Sequence, residues 1–337
     1  KNKRCFEVWM SQNCSDVYFS HGLNGCSNCM FSFNIQSRRY AIGNLVLDPT
    51  KYQMIKDKLV AEIAEELRTK KRLPSLVDFV ASNDVEKPNV QCACKEQSND
   101  GGKDKIEAAF SSTTNILFGK PFQVLDNYSE WLGRHTRKVE QCTSAVCGKK
   151  QYMATYANYP KLPKNRLVSE REAEIIGQSE SIAMGDVEDL NLENASEKIG
   201  KLAFFSIGLT EGVNSNLVDC AISIDSTNCY KSSVTEYCKY CAYSFWPRSC
   251  QHLFGCDSPF DSSFSINCYS CTQLTRCFEI DCCGYCSDLY FGHNCENVHE
   301  SMFCFNLKNK RLCIGNSQYA PDQYKQIKAS LLSQIVD

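Results

Sequence analysis

Residues 268–316 read CYSCTQLTR, CFEIDCCGY, CSDLYFGHN, CENVHESMF, CFNLKNKRL and CIGN when the chain is divided after every ninth residue. A cysteine opens each segment, at Cys268, Cys277, Cys286, Cys295, Cys304 and Cys313. The fourth place carries an apolar residue in four segments, at Ile280, Leu289, Val298 and Leu307. A short repeat with a fixed apolar place is typical of a β-solenoid, in which equivalent residues stack above one another. We expect two nine-residue segments to form each coil, with one strand on either side.

The nine-residue spacing begins well before this stretch. It is present at Cys220, Cys229 and Cys238, and after a shift of three residues it resumes at Cys241 and Cys250. The calcium-binding form of such a repeat needs turns rich in Gly and Asp, and this sequence lacks them. The pattern therefore predicts a long module that is packed by its own side chains rather than by calcium.

The chain contains a second copy of the end of this module. Residues 4–63 align with residues 276–335 at a constant offset of 272 and without a gap, and 24 of the 60 aligned positions are identical. Both copies contain a Gly-Asn pair, Gly43-Asn44 and Gly315-Asn316, which suits a turn that requires positive φ. A match of this extent at a fixed offset indicates a duplicated module.

Each copy ends in a predicted amphipathic helix. The helix begins at Pro49 or Pro321, because proline is tolerated in the first helical turn. Apolar residues follow at spacings of three, four and four, which places them on one face that we expect to pack against a core. They are Tyr52, Ile55, Leu59 and Ile63 in the first copy and Tyr324, Ile327, Leu331 and Ile335 in the second.

The 23 cysteines require an explanation, and their odd number excludes complete pairing in internal disulfides. We call the cysteines at the nine-residue spacing, together with Cys5 and Cys14, the ladder. A metal ligand does not become Leu or Ala, whereas a small core residue does. We therefore interpret the ladder cysteines as reduced packing residues, with disulfides and metal sites as the alternatives. The duplication supports this choice, since Cys277, Cys286, Cys295, Cys304 and Cys313 align with Cys5, Cys14, Leu23, Ser32 and Ala41.

Pairs of cysteines separated by one to four residues could still build a tetrahedral zinc site. We expect no cofactor, and zinc is the one metal that we keep as an alternative. The first copy of the module has Ser11 where the second has Cys283, so the pair of Cys283 with Cys286 is not a shared feature. The candidate zinc ligands are Cys92, Cys94, Cys142 and Cys147, which lie outside the ladder, and the Cys283/Cys286 pair.

The histidines offer one further constellation. His21 and His293 occupy equivalent places, five residues after Asp16 and Asp288. A Cys/His/Asp nucleophile is conceivable, because a thiolate needs a neighbouring base. A residue repeated in both copies is more simply explained by the fold, so we interpret these as turn histidines bonded to the backbone. Since phosphate-binding and dinucleotide motifs, HExxH and GxSxG are also missing from the sequence, we predict no enzyme and identify no small-molecule substrate.

Between the two copies the sequence predicts a mixed α/β domain, with helices over 104–112 and in the stretches YSEWLGRH and VSEREAEIIGQSES. The predicted fold class is α+β, with two Cys-rich β-solenoid-like modules each followed by an amphipathic helix. A tailed-virus capsid fold that carries Cys-rich β elements is the alternative. The predicted parts are the first module with its long helix at 1–82, a polar linker at 83–107, the middle domain at 108–210 and the ladder module with its helix at 211–337.

Composition argues against several classes of function. The formal net charge is -2 and the sequence has no basic stripe, which disfavours direct nucleic-acid readout. No apolar run approaches the roughly eighteen residues of a membrane-spanning helix, so we predict no membrane insertion. The chain starts at Lys1 without an initiator Met, which we interpret as a processing site or a cloning boundary.

The ladder and its exit resemble a group of cysteine-rich nonapeptide-repeat proteins of uncultivated bacteria, archaea and their viruses. The residues that carry the resemblance are HNCENVHESMFCFNLKNKRLCIGNSQY at 293–319 and SNCMFSFNIQSRRYAIGN at 27–44. The middle of the chain, from SSTTNILFGKPF to LVSEREAEIIG, is similar to the archaeal or viral members. The resemblance implies a structural module and brings no assigned activity.

We therefore expect a non-enzymatic, self-assembling structural protein, most specifically a virion shell (major capsid) protein of a tailed virus. The duplicated packing module, the lack of a catalytic constellation and the start without Met motivate this prediction, and the resemblance implies trimming by a maturation protease. We expect the chain to associate with copies of itself, in a virion or a cytoplasmic assembly, with a secreted or cell-surface location as an alternative. The other functions that we keep are a zinc-binding or thiol-redox protein and a cellular scaffold or cell-surface protein.

Overall fold

The computed structural model describes residues 1–81, 88, 90–91, 102–155, 161–269, 275–281, 284 and 286–336. It confirms a mixed α/β chain, with about 30% helix and about 35% strand in several sheets. The chain divides into two compact units. The residues predicted as one middle domain, 108–210, are divided between these units. Unit 1 is Lys1–Lys95, Cys142–Gln151 and Asn158–Ile207, and unit 2 is Glu96–Gln141, Tyr152–Ala157 and Gly208–Asp337.

The strands and helices are numbered in chain order. The strands are β1 (Lys3–Trp9), β2 (Ser15–His21), β3 (Ser27–Met30), β4 (Arg39–Ile42), β5 (Leu45–Val46), β6 (Val139–Thr143), β7 (Lys150–Ala154), β8 (Leu167–Val168), β9 (Phe205–Ser206), β10 (Leu209–Glu211), β11 (Ser215–Val218), β12 (Ile222–Ile224), β13 (Thr227–Tyr230), β14 (Val234–Glu236), β15 (Lys239–Ala242), β16 (Gln251–Phe254), β17 (Ser263–Tyr269), β18 (Phe278–Asp281), β19 (Ser287–His293), β20 (Glu296–Met302), β21 (Lys308–Arg311), β22 (Cys313–Ile314) and β23 (Ser317–Gln318). The α-helices are α1 (Pro49–Lys70), α2 (Leu76–Ala81), α3 (Gly102–Phe118), α4 (Ser129–Leu132), α5 (Glu170–Ser179), α6 (Met184–Asp189), α7 (Ala195–Lys198) and α8 (Pro321–Val336), and short 3-10 helices cover Leu125–Tyr128 and Lys164–Arg166.

In unit 1, strands β1 to β4 are parallel and pair in sequence order. The paired residues are twelve positions apart, as Ser15 with Ser27 and Ser27 with Arg39. Strand β5 then pairs antiparallel with β4 through a turn at Gly43 and Asn44. These two residues have φ of 54° and 65°. Positive φ at both places is the favoured geometry of a two-residue hairpin, and it confirms the predicted turn.

Unit 2 repeats this arrangement over more strands. The sheet runs from β11 through β13 and β15 to β20, and its partners are again twelve residues apart, as Ser215 with Thr227 and Phe278 with Tyr290. Strands β10, β12 and β14 form a second parallel sheet. Strands β22 and β23 close the module as an antiparallel hairpin around Gly315-Asn316, with φ of 55° and 65°. The two copies of the module therefore end in the same way.

The repeat is twelve residues long, so the prediction of two nine-residue segments per coil is wrong. The reason lies in the backbone, which has positive φ at every third residue, for example at Arg4, Glu7, Met10, Asn13 and Asp16. A non-glycine residue seldom adopts this conformation, and each one bends the chain sharply. Four three-residue segments therefore complete one repeat and bring residue i+12 beside residue i.

At least one residue in each three-residue segment of such a repeat is buried and packs inside it. In the second repeat of unit 1 these residues are Cys14, Val17, Ser20 and Leu23. Because nine residues equal three segments, cysteines at a spacing of nine all occupy buried places of the same kind. The apolar fourth place lies one segment after each cysteine and is buried for the same reason. This confirms the fixed apolar place at Ile280, Leu289 and Val298.

The turn asparagines of both copies bind the backbone of a residue in the last repeat. The side chain of Asn44 pairs with the backbone of Phe33, since its Oδ1 accepts from Phe33 N at 2.8 Å and its Nδ2 donates to Phe33 O at 3.0 Å. Asn316 pairs with Phe305 in the same way, at 2.9 Å for both bonds. The side-chain amide thus forms the hydrogen bonds that a further repeat would supply. It satisfies a backbone N–H and a backbone C=O that would otherwise lack partners at the end of the stack.

The two amphipathic helices differ in how far they are covered. Helix α1 starts after Asp48, whose carboxylate accepts from Thr50 N at 2.9 Å. Its predicted apolar face is buried, as expected, at Tyr52, Ile55, Leu59 and Ile63. In α8 the prediction holds only in part, because Tyr324 is buried but Ile335 is 39% exposed. Among the residues that the structure describes, no helix is both long enough and apolar enough to cross a membrane.

Helix α3 covers an outer core of unit 2 and is longer than the predicted helix over 104–112. The Phe110 ring lies 5.1 Å from that of Phe254, and the Phe118 ring lies 4.9 Å from that of Phe278. The covered strand residues face away from the cysteines and recur every twelve positions. They are Val218, Tyr230, Ala242, Phe254, Ile266, Phe278, Tyr290 and Met302. Unit 2 therefore has an inner core rich in cysteine and an outer aromatic core beneath α3.

Candidate functional site

The ladder cysteines lie in the inner core, where each repeat has only four inward places. In residues 229–240 these places hold Cys229, Ser232, Thr235 and Cys238, all of them fully buried. A repeat of twelve residues encloses little volume, so small side chains fill it at high packing density. Cysteine is suited to such a place because it is a small apolar residue that still carries a weak donor.

The inner thiols are hydrogen-bonded to the backbone. Cys268 Sγ donates to the carbonyl oxygen of Ile266 at 3.4 Å and to that of Cys277 at 3.6 Å. Cys14 Sγ does the same with Gln12, at 3.1 Å, and Leu23, at 3.5 Å. Each thiol thus reaches carbonyls two residues before it and nine residues after it. The partners are backbone groups in both copies of the module, which supports the packing interpretation.

Serine takes the same place as cysteine with the same bonds. Ser226 Oγ donates to Ile224 O at 2.8 Å and accepts from Cys238 N at 3.1 Å, twelve residues further on. The sulfur of Cys250 accepts from Ser262 N at 3.4 Å in the equivalent way. Both side chains therefore accept a hydrogen bond from a backbone N–H group of the next repeat. This shared role explains why either Ser or Cys can occupy an inward place. The nine-residue spacing of the cysteines did not reveal this.

Burial favours the protonated form of several of these thiols. Burial raises the pKa of Cys220 and that of Cys304, because a thiolate loses its hydration inside the repeat. Cys238 differs, because hydrogen bonding with the neighbouring thiols of Cys241 and Cys250 holds its pKa below the ordinary value, although Cys238 is fully buried.

The structure describes three of the six candidate zinc ligands, Cys142, Cys147 and Cys286. Cys92, Cys94 and Cys283 lie outside the described residues. Cys286 is an inward ladder residue that donates to Gly284 O at 3.4 Å and to Cys295 O at 3.7 Å. Within the described ranges, no group of three or more His, Cys, Asp or Glu side chains is placed to hold a metal ion. Zinc binding therefore stays a prediction.

Cys142 and Cys147 are half-buried residues of unit 1. Cys142 Sγ donates to Gln151 O at 3.7 Å. Cys147 lies next to the buried Glu172, whose Oε2 also accepts from Ser144 Oγ at 2.8 Å. Burial acts to raise the pKa of Glu172, but hydrogen bonds from Ser169, Cys147 and Ser144 outweigh it and lower the pKa. The ionised carboxylate is thus stabilised by hydrogen-bond donors of the chain itself.

The equivalent histidines occupy different environments, and neither pairs with the aspartate suggested by the sequence. His21 is buried and accepts from Ser206 N at 3.2 Å through Nε2, and burial lowers the pKa of His21 to about 3. His293 is half-exposed, and its Nδ1 lies 2.7 Å from Asp281 Oδ2. The aspartates five residues earlier face arginines instead, with Asp16 bound to Arg4 at 2.7 Å and Asp288 3.8 Å from Arg276. A Cys/His/Asp nucleophile is not assembled by these residues.

Comparisons with known proteins add nothing to this interpretation, which therefore rests on the residues of the chain. Searches against protein families, curated proteins and solved structures found no match to the chain.

Proposed function

We propose that the chain is a non-enzymatic structural protein whose two modules are β-solenoids with twelve-residue coils. Parallel pairing at a constant offset of twelve supports the solenoid, because each repeat then lies directly on the one before it. In such a stack stability comes from the contacts between neighbouring repeats. A long, regular body of this kind suits a scaffold better than a catalyst.

The observation that carries the proposal is the use of the inner thiols. Most of the cysteines that the structure describes are inner thiols, which fill the repeats and bind backbone carbonyls. A nucleophile or a metal ligand has to be reachable, whereas these thiols are buried inside the repeats. The chemistry of the cysteines is therefore structural.

Ladders of identical side chains on the outside of the stack give further support. The amides of Asn294 and Asn297 donate to those of Asn306 and Asn309, at 2.8 and 2.7 Å. The rings of Phe291 and Phe303, also twelve residues apart, stack at 4.9 Å. Such ladders link neighbouring repeats on the outside as the thiols do inside, so they stiffen the body that the proposal requires.

The proposal includes self-association, with a virion shell as its most specific form. We expect the purified chain to form a defined oligomer, lattice or filament in size-exclusion chromatography with light scattering and in negative-stain images. A monomer that persists over a hundredfold range of concentration would rule out self-association. Zinc at one equivalent per chain, measured by elemental analysis, would instead favour the zinc-binding alternative.

A further inference from the structure

A cavity of about 310 Å³ lies in unit 2, on the outside of the stacked repeats. Its walls come from helix α4 with Gly133, from the extended segment 136–139 and from two bend residues, Lys231 and Tyr243. The size is at the lower end of the range for small-molecule sites. None of the motifs considered above accounts for it.

The walls are fixed to the repeats by hydrogen bonds and ring contacts. Thr136 Oγ1 donates to Tyr243 O at 3.0 Å, and Ser233 Oγ donates to Arg137 O at 2.9 Å. The Arg137 guanidinium carbon lies 4.1 Å from the centre of the Phe245 ring. The segment that carries the cations is therefore held in place before any ligand arrives, which lowers the entropy lost on binding.

Positive charge predominates in the lining. Lys231, Arg137 and Lys138 face one carboxylate, Glu130. Arg137 has its acidic neighbour, Asp257, at 3.8 Å, which is beyond hydrogen-bond distance. The Arg137 guanidinium therefore keeps donors that an anion in the cavity could use, while Asp257 offsets part of its charge.

Asp126, the carboxylate that pairs with Lys231, also binds other donors. Asp126 lies 3.3 Å from Lys231 Nζ and 2.7 Å from Lys103 Nζ. It also accepts from the hydroxyls of Tyr230, at 2.9 Å, and Tyr243. Two ammonium groups on one carboxylate leave an excess of one positive charge at the edge of the cavity.

Glycine at position 133 keeps space for the third cation. A Cβ atom at Gly133 would lie 3.1 Å from Lys138 Cε, tighter than ordinary contacts. The side chain of Lys138 therefore crosses directly over Gly133 along the cavity wall. A larger residue would push the ammonium group away from its present place.

We propose that this cavity binds a small phosphate monoester. Its phosphate is held by Lys231, Arg137 and Lys138, and its organic part lies against Tyr243. Lysine and arginine bind phosphate through charge-assisted hydrogen bonds, and three cations match the two negative charges of a monoester. The site is separate from the thiol core, so it adds a ligand to a scaffold and does not depend on the proposed function.

Phenyl phosphate is a suitable probe for isothermal titration calorimetry on the full chain at low salt. We expect saturable binding with one site per chain, weaker binding of inorganic phosphate, and loss of affinity as salt screens the charges. Lys138→Met should weaken binding about tenfold or more, which is the range expected for one charge-assisted contact.

Lys308→Met serves as the matched control, because Lys308 is an exposed lysine of the same unit that pairs with Glu296, and neither residue lines the cavity. The proposal requires this variant to bind phenyl phosphate as tightly as the unchanged chain. Three results would overturn it: no saturable binding to the unchanged chain, equal affinity in Lys138→Met, or equal losses in Lys138→Met and Lys308→Met.

Discussion

Cys238→Phe is expected to lower the free energy of unfolding by about 3 kcal/mol or more, because overpacking a closed core forces backbone shifts. Cys238 is fully buried among four inward side chains of one twelve-residue repeat. Its backbone is also held in place, because the Cys238 N–H donates to Ser226 Oγ at 3.1 Å. Urea unfolding followed by circular dichroism measures the loss.

Cys238→Ser is the control for this substitution. Serine already occupies equivalent inward places at Ser226 and Ser262, where it makes the same contacts with the backbone. We expect the serine variant to stay folded with a loss of about 1 kcal/mol, the usual net contribution of one such interaction. Equal stability of the phenylalanine and serine variants would show that this place is not enclosed by its repeat.

Gly177→Ala is expected to cost about 3 kcal/mol or to prevent unit 1 from folding, because α5 leaves no room for a methyl group at this place. A Cβ atom there would lie 1.9 Å from the carbonyl oxygen of Asn34. That oxygen belongs to the backbone, so it cannot move aside as a flexible side chain would. Asn34 is held in turn by its Nδ2, which donates to Phe204 O at 2.8 Å.

Gly185 provides the comparison, since it also lies in a helix of unit 1 but a Cβ atom there would meet nothing within 4 Å. Gly185→Ala should leave stability unchanged or raise it by about 0.5–1 kcal/mol, because alanine favours helix more than glycine. Thermal unfolding of the two variants side by side tests the close approach. A melting temperature of Gly177→Ala equal to that of Gly185→Ala would contradict it.

Part of this fold could be predicted from the sequence because the duplication is visible as identical residues. The Gly43-Asn44 turn and the buried face of α1 were predictable because each depends on a local sequence pattern. The apolar residues one segment after each cysteine were predicted as inward for the same reason. All of these depend on short-range spacing.

The repeat length could not be predicted in this way. Inward places recur every three residues, and cysteine happens to recur at every third such place, so the visible period is nine. The structural period of twelve joins identical residues in some places, as Cys229 with Cys241, and unlike residues in others, as Cys241 with Leu253. Identities at that step, such as Phe291 with Phe303, are scattered and do not form a regular pattern in the sequence. The outer column beneath α3 was missed for the same reason.

The interpretation of both histidines as bonded to the backbone fits His21 but not His293, because equal sequences have unequal surroundings. His21 and His293 are equivalent in the duplication, yet the first is buried against Phe205 and the second is half-exposed beside Asp281. Segments outside the module cause this difference in burial, and the sequence of the module alone does not show where those segments pack. The cationic cavity was missed because its cations come from residues about a hundred positions apart.

The central claim is that the ladder cysteines are reduced packing residues inside twelve-residue repeats. It is tested most directly by labelling with N-ethylmaleimide without reductant, before and after unfolding in guanidinium, and by peptide mapping of the labelled sites. We predict that the half-buried Cys5, Cys142 and Cys147 react first in the native chain, whereas buried ladder cysteines such as Cys268 and Cys304 react only after unfolding. Ladder cysteines that label in the native chain as fast as Cys5, or that stay unlabelled in guanidinium until a reductant is added, would contradict the account.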